Sequence, residues 1–402
     1  MFAPKWKKEA KLLHKGALKF LHYKRDLLKP DRIEEIESRR SDLMDAIKAG
    51  DKDKADEASK QLRATCEQAL PHFPSQNAWE ENVEVMFVAL VVALGLRAYV
   101  IQPFRIPTGS MQPTLNGINI EQSEDPNFKK PWLGQQGWEL LTRGRSYRNI
   151  VAEADMYPVG EPDDASWFLF TRTKVKFSNG EVISFPAAKG EVQNLISEPI
   201  GPGAEQRQTK RYRKGEAILR GWVDTGDLVL VDKVSYHFRR PNRGEVFVFD
   251  TRGITTERRE PGDKKMGGQE GGTHYIKRLC GVPGDKLEIR SPYLWVNGTI
   301  AKEPGIGRVI SAEGVYGEIS PSGYILADPK AYGYPLPLQR DGAVFALKAN
   351  AASGMREYAA LGDNTGNSLD SRYWGSVKEF NLAGPALFSL WPFTTGHWGI
   401  IR

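Results

Sequence analysis

A mainly β body, preceded by one transmembrane helix and an α-helical N-terminal arm, is the fold class this sequence predicts. Three observations predict it. One apolar run, VEVMFVALVVALGLRAYVI (83–101), stands out in a chain of 402 residues. Upstream of it the sequence is charged and helix-periodic. Downstream it breaks into short alternating runs between turn residues, and the 40 glycines and 25 prolines of the chain suit many turns better than a helical bundle. The length suffices for a substantial core and more than one structural unit.

The arm, residues 1–82, comes first. The chain carries a net charge of +6, and residues 1–30 alone hold nine Lys/Arg against Glu9 and Asp26. The basic balance therefore belongs to the arm, and nucleic acid is not an expected partner of the body. Residues 4–28, PKWKKEAKLLHKGALKFLHYKRDLL, predict a basic amphipathic helix with Leu13, Ala17, Leu21 and Leu28 on one face and Trp6 and Phe20 at its margin. Such a face suits an anionic lipid surface, and equally a packed helix partner. Residues 31–70 predict a helical hairpin broken near Gly50-Asp51. DKDKADEASKQL begins like a calcium loop, but Asp56 stands at the glycine position and Leu62 at the glutamate position, so no metal is expected there. Cys66 and Cys280 fall on opposite sides of the predicted span, which rules out a disulfide between them, and their spacing is not of a metal-binding type.

The span, 83–101, reaches about 28 Å as a helix, close to the hydrocarbon thickness of a bilayer. Glu84 and Arg97 lie near its ends, where long side chains reach the interface. Gln102-Pro103 is expected to end the helix. The run begins far from the N-terminus and has no small-x-small exit, so it reads as a retained anchor. Local charge gives little orientation: residues 64–82 hold no Lys or Arg. The basic cluster farther upstream favours a cytoplasmic N-terminus.

The body follows. LVLVDKVSYHF (228–238), GEVFVFD (244–250), HYIKRLCGV (274–282) and DKLEIRSPYLWVNGTI (285–300) read as strands, the last with a tight Asn-Gly turn. The expected core comprises 102–117, 222–300 and 359–402. A β-rich insertion, 118–221, includes WFLFTRTKVKF and EVISFP, and a second insertion covers 301–358. Residues 256–273, rich in Gly and charge, read as a loop.

Ser110, in FRIPTGSMQPTL (104–115), is the candidate nucleophile, and a serine hydroxyl needs a neighbour to take its proton. No histidine downstream of the span (His237, His274, His397) stands in a motif tying it to a serine, and no Gly-x-Ser-x-Gly is present. A lysine serves only if desolvation lowers its pKa from about 10.4 towards 7–8. Lys277, in HYIKRLCGVPGD, lies in an apolar strand, on one face with Tyr275 and Leu279, while Ile276 and Arg278 point the other way.

FRIPTGSMQPTL, YIKRLCGVPGDKLEI and LGDNTGNSLDSRYWGSV (361–377), in this order after a span, resemble bacterial signal peptidase I, the leader peptidase family. GDLVLVDKVSYHF, PNRGEVFVF and LAGPALFSLWPF extend the resemblance. It implies a signal-peptidase-type antiparallel β fold and a Ser-Lys serine endopeptidase that cuts preproteins after small-x-small sites. By the same resemblance Ser110 is the nucleophile and Lys277 the general base. Thr108 and the Ser110 N–H form the oxyanion hole, and Ser368 orients the lysine. Asp370 and Arg372 form a supporting ion pair, and Gly362, Asp363 and Asn364 shape the turn. No cofactor and no metal are implied. The implied partners are signal-peptide-bearing preproteins, the lipid bilayer and the translocation machinery. The implied location is the bacterial cytoplasmic (inner) membrane, single-pass, with the catalytic body on the outer face. Threonine at 108, where relatives commonly carry serine, keeps the hydroxyl. The long 118–221 insertion departs from most relatives. Two other readings share some features: a self-cleaving repressor-type Ser-Lys protease, which the span opposes, and an inactive membrane scaffold, which the intact Ser110, Lys277 and Ser368 oppose.

Overall fold

Residues 4–69, 78–167, 170–200, 207–254, 273–318, 321–328 and 337–402 are described by the computed structural model of the chain, which divides into two units, Met1–Leu90 and Val91–Arg402. In the first unit the predicted periodicity becomes α1 (Lys5–Lys24), α2 (Pro30–Ala49) and α3 (Lys52–Ala69). Pro30 opens α2, where its missing N–H costs nothing. Gly50 closes it in the left-handed region, φ +72°. Ala10, Ala17, Leu21 and Leu28 pack with Ile36, Leu43 and Ile47 of α2 and with Leu62 of α3. The apolar face of the first helix, offered above to lipid or to a helix partner, is thus covered by helices of the same chain. Burying it on α2 and α3 leaves little of it for a bilayer.

The next helix, α4 (Ala78–Tyr99), holds a 19-residue stretch, Glu81–Tyr99, of mean hydropathy 1.6 with none of it buried. It is the one helix among the described residues long and apolar enough to cross a membrane. It stops at Tyr99, earlier than the expected 101, and Gln102-Pro103 is not the terminator. Only Val100 separates the helix from strand β1 (Ile101–Arg105), where Pro103 sits opposite Leu230. An edge strand tolerates a residue without an N–H, and β1 is the first strand of its sheet.

The strands that carry the site are β1, β2 (Leu228–Asp232), β3 (Val246–Asp250), β4 (His274–Gly281), β5 (Glu357–Leu361), β6 (Val377–Lys378), β7 (Leu382–Trp391) and β8 (Gly399–Ile400). They form one antiparallel sheet in the order β1-β2-β7-β3-β4-β5-β6, with β8 beside β7. The run predicted as a strand over 228–238 is a strand only to Asp232. There the Asp232 carboxylate accepts from the Val234 and Ser235 N–H groups, and a short helix, Ser235–Phe238, follows. At 285–300, Asn297 (φ +52°) and Gly298 (φ +80°) make the tight turn of a hairpin. Apart from Thr273, the loop expected at 256–273 lies outside the described residues.

The two insertions differ in kind. The first builds a core of its own from Val175, Phe177, Phe185, Val192 and Leu219. Its sheet pairs Asn119–Gln122 and Arg145–Val151 with the strand Ala217–Asp224. Among its described residues the second has no separate core: Ile306, Val309, Tyr324 and Leu347 pack with Leu287, Cys280 and Leu361.

Candidate active site

Strand β4 lies between β3 and β5, with Lys277 opposite Phe247 and Arg278 opposite Leu361. Both of its faces are covered beyond Tyr275, so two successive cations are buried on opposite sides of one strand. Lys277 is 4% exposed and its Nζ donates to Ser110 Oγ. Burial pulls the Lys277 pKa from its ordinary 10.5 down to about 8. Asp370 and Asp363 oppose that shift and Arg372 adds to it.

Ser110 occupies a single helical turn, Gly109–Met111. Met111 and Leu115 anchor the turn in a core with Ile106, Val229, Val246 and Ile276. Two glycines let other backbone pass close to it. A Cβ on Gly117 would lie 2.2 Å from the Thr108 carbonyl carbon, and one on Gly362 would lie 2.5 Å from the Ser110 oxygen and 2.2 Å from Ser368 Oγ. The Gly362–Asn364 turn also holds the serine loop directly. Asn364 N donates to Ser110 O at 3.1 Å and Asn364 Nδ2 to Gly109 O at 3.2 Å.

Thr108 is exposed immediately before this turn, and its hydroxyl makes no cap bond. N–H groups at the start of a helical turn have no partner within the turn itself. Asp370 and Arg372 form a fully buried pair at 2.8 Å, and Arg372 also donates to the carbonyls of Ile325, Thr365 and Ser368. Asp370 Oδ2 accepts from Gly362 N at 3.0 Å. Burial raises the Asp370 pKa, but Arg372 and this amide outweigh it and hold the carboxyl below its ordinary value. Ser368 is the member not joined to the rest as expected. It is buried, and its Oγ has no hydrogen-bond partner. The Lys277 amine points at Ser110, and the Ser368 hydroxyl lies over Gly362 instead.

One part of the site escaped the sequence reading. Arg278 grips Asp363 with two bonds, of 2.7 and 2.6 Å, and both side chains are fully buried. Thr114 donates to Asp363, lies 3.2 Å from Arg278 Nη2, and meets the Tyr316 hydroxyl at 2.6 Å. Asp363 is therefore an ion-pair partner as well as a turn residue. The available signal was the Lys-Arg pair itself: in a strand covered on both faces, the second cation also needs a buried carboxylate.

Comparison with known proteins bears on this geometry. The family described as signal peptidase, peptidase S26, matches residues 79–135 and 221–391, more than half of the chain. The chain belongs to this family. It is a serine endopeptidase, a hydrolase. It is 30% identical to the probable signal peptidase I-1 of Synechocystis sp. over 189 residues, 47% of this chain and 73% of that protein. It is 26% identical to the signal peptidase I of Leptolyngbya laminosa, over 45% of this chain and 68% of that one. The thylakoidal processing peptidase 1 of Arabidopsis thaliana is 27% identical over 42% of this chain and 38% of its own length. The break in the family match, between 135 and 221, falls within the first insertion.

Proposed function

We propose that this peptidase is anchored by α4 and removes signal peptides from preproteins through an acyl-enzyme, with Ser110 as nucleophile and Lys277 as base. The observation that carries the proposal is the contact between a buried lysine, its pKa about 8, and Ser110 Oγ. Neutral Lys277 takes the Ser110 proton, reversing the direction of that hydrogen bond. Ser110 Oγ attacks the scissile carbonyl, and Thr108 Oγ1 with the Ser110 N–H receives the developing oxyanion. One such donor is worth about 3–4 kcal/mol at most. Lys277 then protonates the leaving amine, and later activates the water that breaks the ester.

Tethering supports the substrate assignment. Ser110 lies eleven residues past Tyr99, the end of α4, and the intervening β1 is folded into the sheet. The nucleophile is thus held close to the level at which α4 leaves the bilayer. A signal peptide offers its small-x-small site at that level, just beyond its apolar core. We place the body on the outer face, with the N-terminus cytoplasmic.

The test is cleavage of a preprotein carrying an Ala-x-Ala site by the detergent-solubilised chain and by Ser110→Ala, with product masses read by mass spectrometry. A cut after the site that disappears in Ser110→Ala is the expected result. Failure of the folded wild type on several preproteins would overturn the proposed substrate.

A further inference from the structure

In the first insertion, α5 (Leu133–Arg143) is docked with its faces reversed. Its spacing puts Leu133, Gly137, Leu140, Leu141 and Trp138 on one arc and Gln136, Glu139 and Thr142 on the other. A helix of a water-soluble body turns the apolar arc inward. Here Gln136, Glu139 and Thr142 are half-buried against the body, and Tyr147 donates to the Glu139 carboxylate. Trp132, Leu133, Trp138 and Leu141 are 74%, 83%, 66% and 59% exposed. Phe393, whose N–H donates to the Thr142 carbonyl at 3.0 Å, extends the patch and is itself exposed.

The position of the helix says what covers that patch. Trp391 Nε1 donates to the Leu141 carbonyl at 2.6 Å, so the end of α5 is fixed to the end of β7. Leu228 of β2 pairs with Trp391 on one side and with Arg105 of β1 on the other. At about 3.3 Å per residue and 4.8 Å per strand, α5 lies roughly 13 Å along and 10 Å across from Ile101, which follows α4 after a single residue. Lys129, Lys130 and Arg143 flank the helix. Two tryptophans at the edge of an apolar face, with cations beside it, are the composition of a helix lying in the headgroup region of an anionic bilayer.

We infer that α5 is a second membrane contact, a helix that lies in the outer interface of the bilayer crossed by α4 and holds the body down on it. This inference rests on the anchoring reading of α4. The full chain is reconstituted in vesicles of phosphatidylcholine and phosphatidylglycerol as Cys66→Ser carrying either Trp138→Cys or, for reference, the exposed turn position Asn179→Cys, each labelled with a polarity-sensitive fluorophore. The expected result is that the protein floats with the vesicles, that a lipid-borne quencher acts severalfold more strongly at 138 than at 179, and that iodide in the water does the reverse. Flotation with equal quenching at the two positions overturns the inference and leaves α4 as the anchor, with the patch open to a protein partner. Failure to float overturns the anchoring reading, and this inference with it.

Discussion

Lys277 carries two opposed demands, and both are measurable. In the proposed role of base it must be neutral to act, and burial sets its pKa near 8. Turnover of a short peptide should therefore rise about tenfold per pH unit on the acid side and level off above pH 8. A flat profile between pH 6 and 9 would remove Lys277 from the role of base. The same burial costs stability. Below pH 8 the lysine is charged in both folded and unfolded chains, and the folded state bears the full desolvation, about 3 kcal/mol for a shift of this size. Between 8 and the ordinary 10.5 the folded chain sheds its proton first, and the cost fades. Lys277→Met should then be inactive yet melt several degrees above wild type at pH 7, with the gap closing as pH approaches 10.5. Thermal melts across that range decide it. Ser110 and Lys277 were legible in the sequence because each sits in a short contiguous motif. The unpaired Ser368 hydroxyl was not legible, since its contacts depend on how the Gly362 turn packs.

At the scale of elements, three segments far apart in sequence are fixed to one another beside the serine. The Ser110 loop contributes Thr114, β4 contributes Arg278, and the turn after β5 contributes Asp363, with Tyr316 of the second insertion capping Thr114. Nothing local announces these bonds, which join residues 85 to 249 positions apart, and from the sequence 301–358 is only a second insertion with no assigned role. Asp363→Asn leaves the Arg278 charge buried without its counter-ion, a loss of about 3–5 kcal/mol. A fall in Tm of roughly 10 °C is expected, and an unchanged Tm would mean that the pair is not the brace described. Tyr316→Phe removes one hydroxyl at the edge of the same group. It should lower Tm by only about 1–3 °C, the loss of one hydrogen bond, far less than Asp363→Asn, because the ion pair persists; a fall as large as that of Asp363→Asn in thermal melts would make Thr114–Tyr316 part of the brace itself. Gly362→Ala has no such latitude, since its methyl meets the Ser110 carbonyl and the Ser368 hydroxyl. Overpacking of this kind costs about 1–3 kcal/mol, and displacement of the serine loop should add a loss of turnover larger than the loss of stability explains.

The chain as a whole was legible where periodicity is long and illegible where it is short. Helices α1 to α3 repeat their apolar positions over many turns, so their existence and the break at Gly50 could be read directly. The end of α4 could not, because Val100 and Ile101 are as apolar as the helix before them, and only pairing with β2 makes Ile101 a strand residue. The use of α1's apolar face was equally hidden, for an amphipathic helix looks the same whether lipid or protein covers it. In this chain α2 and α3 cover it, and Ile36, Leu43, Ile47 and Leu62 close a core within the first unit. That closure has a functional consequence. Every residue assigned to the chemistry, from Thr108 to Arg372, lies in the second unit, Val91–Arg402, which has cores of its own. A chain that begins at Ala78, keeping α4 but lacking the three-helix bundle, should cleave the Ala-x-Ala preprotein in detergent within about twofold of the full chain and keep the same pH profile, since no bond to Ser110 or Lys277 is removed. A loss of turnover greater than tenfold in a shortened chain that still melts cooperatively would give the bundle a part in catalysis that its closed core does not suggest.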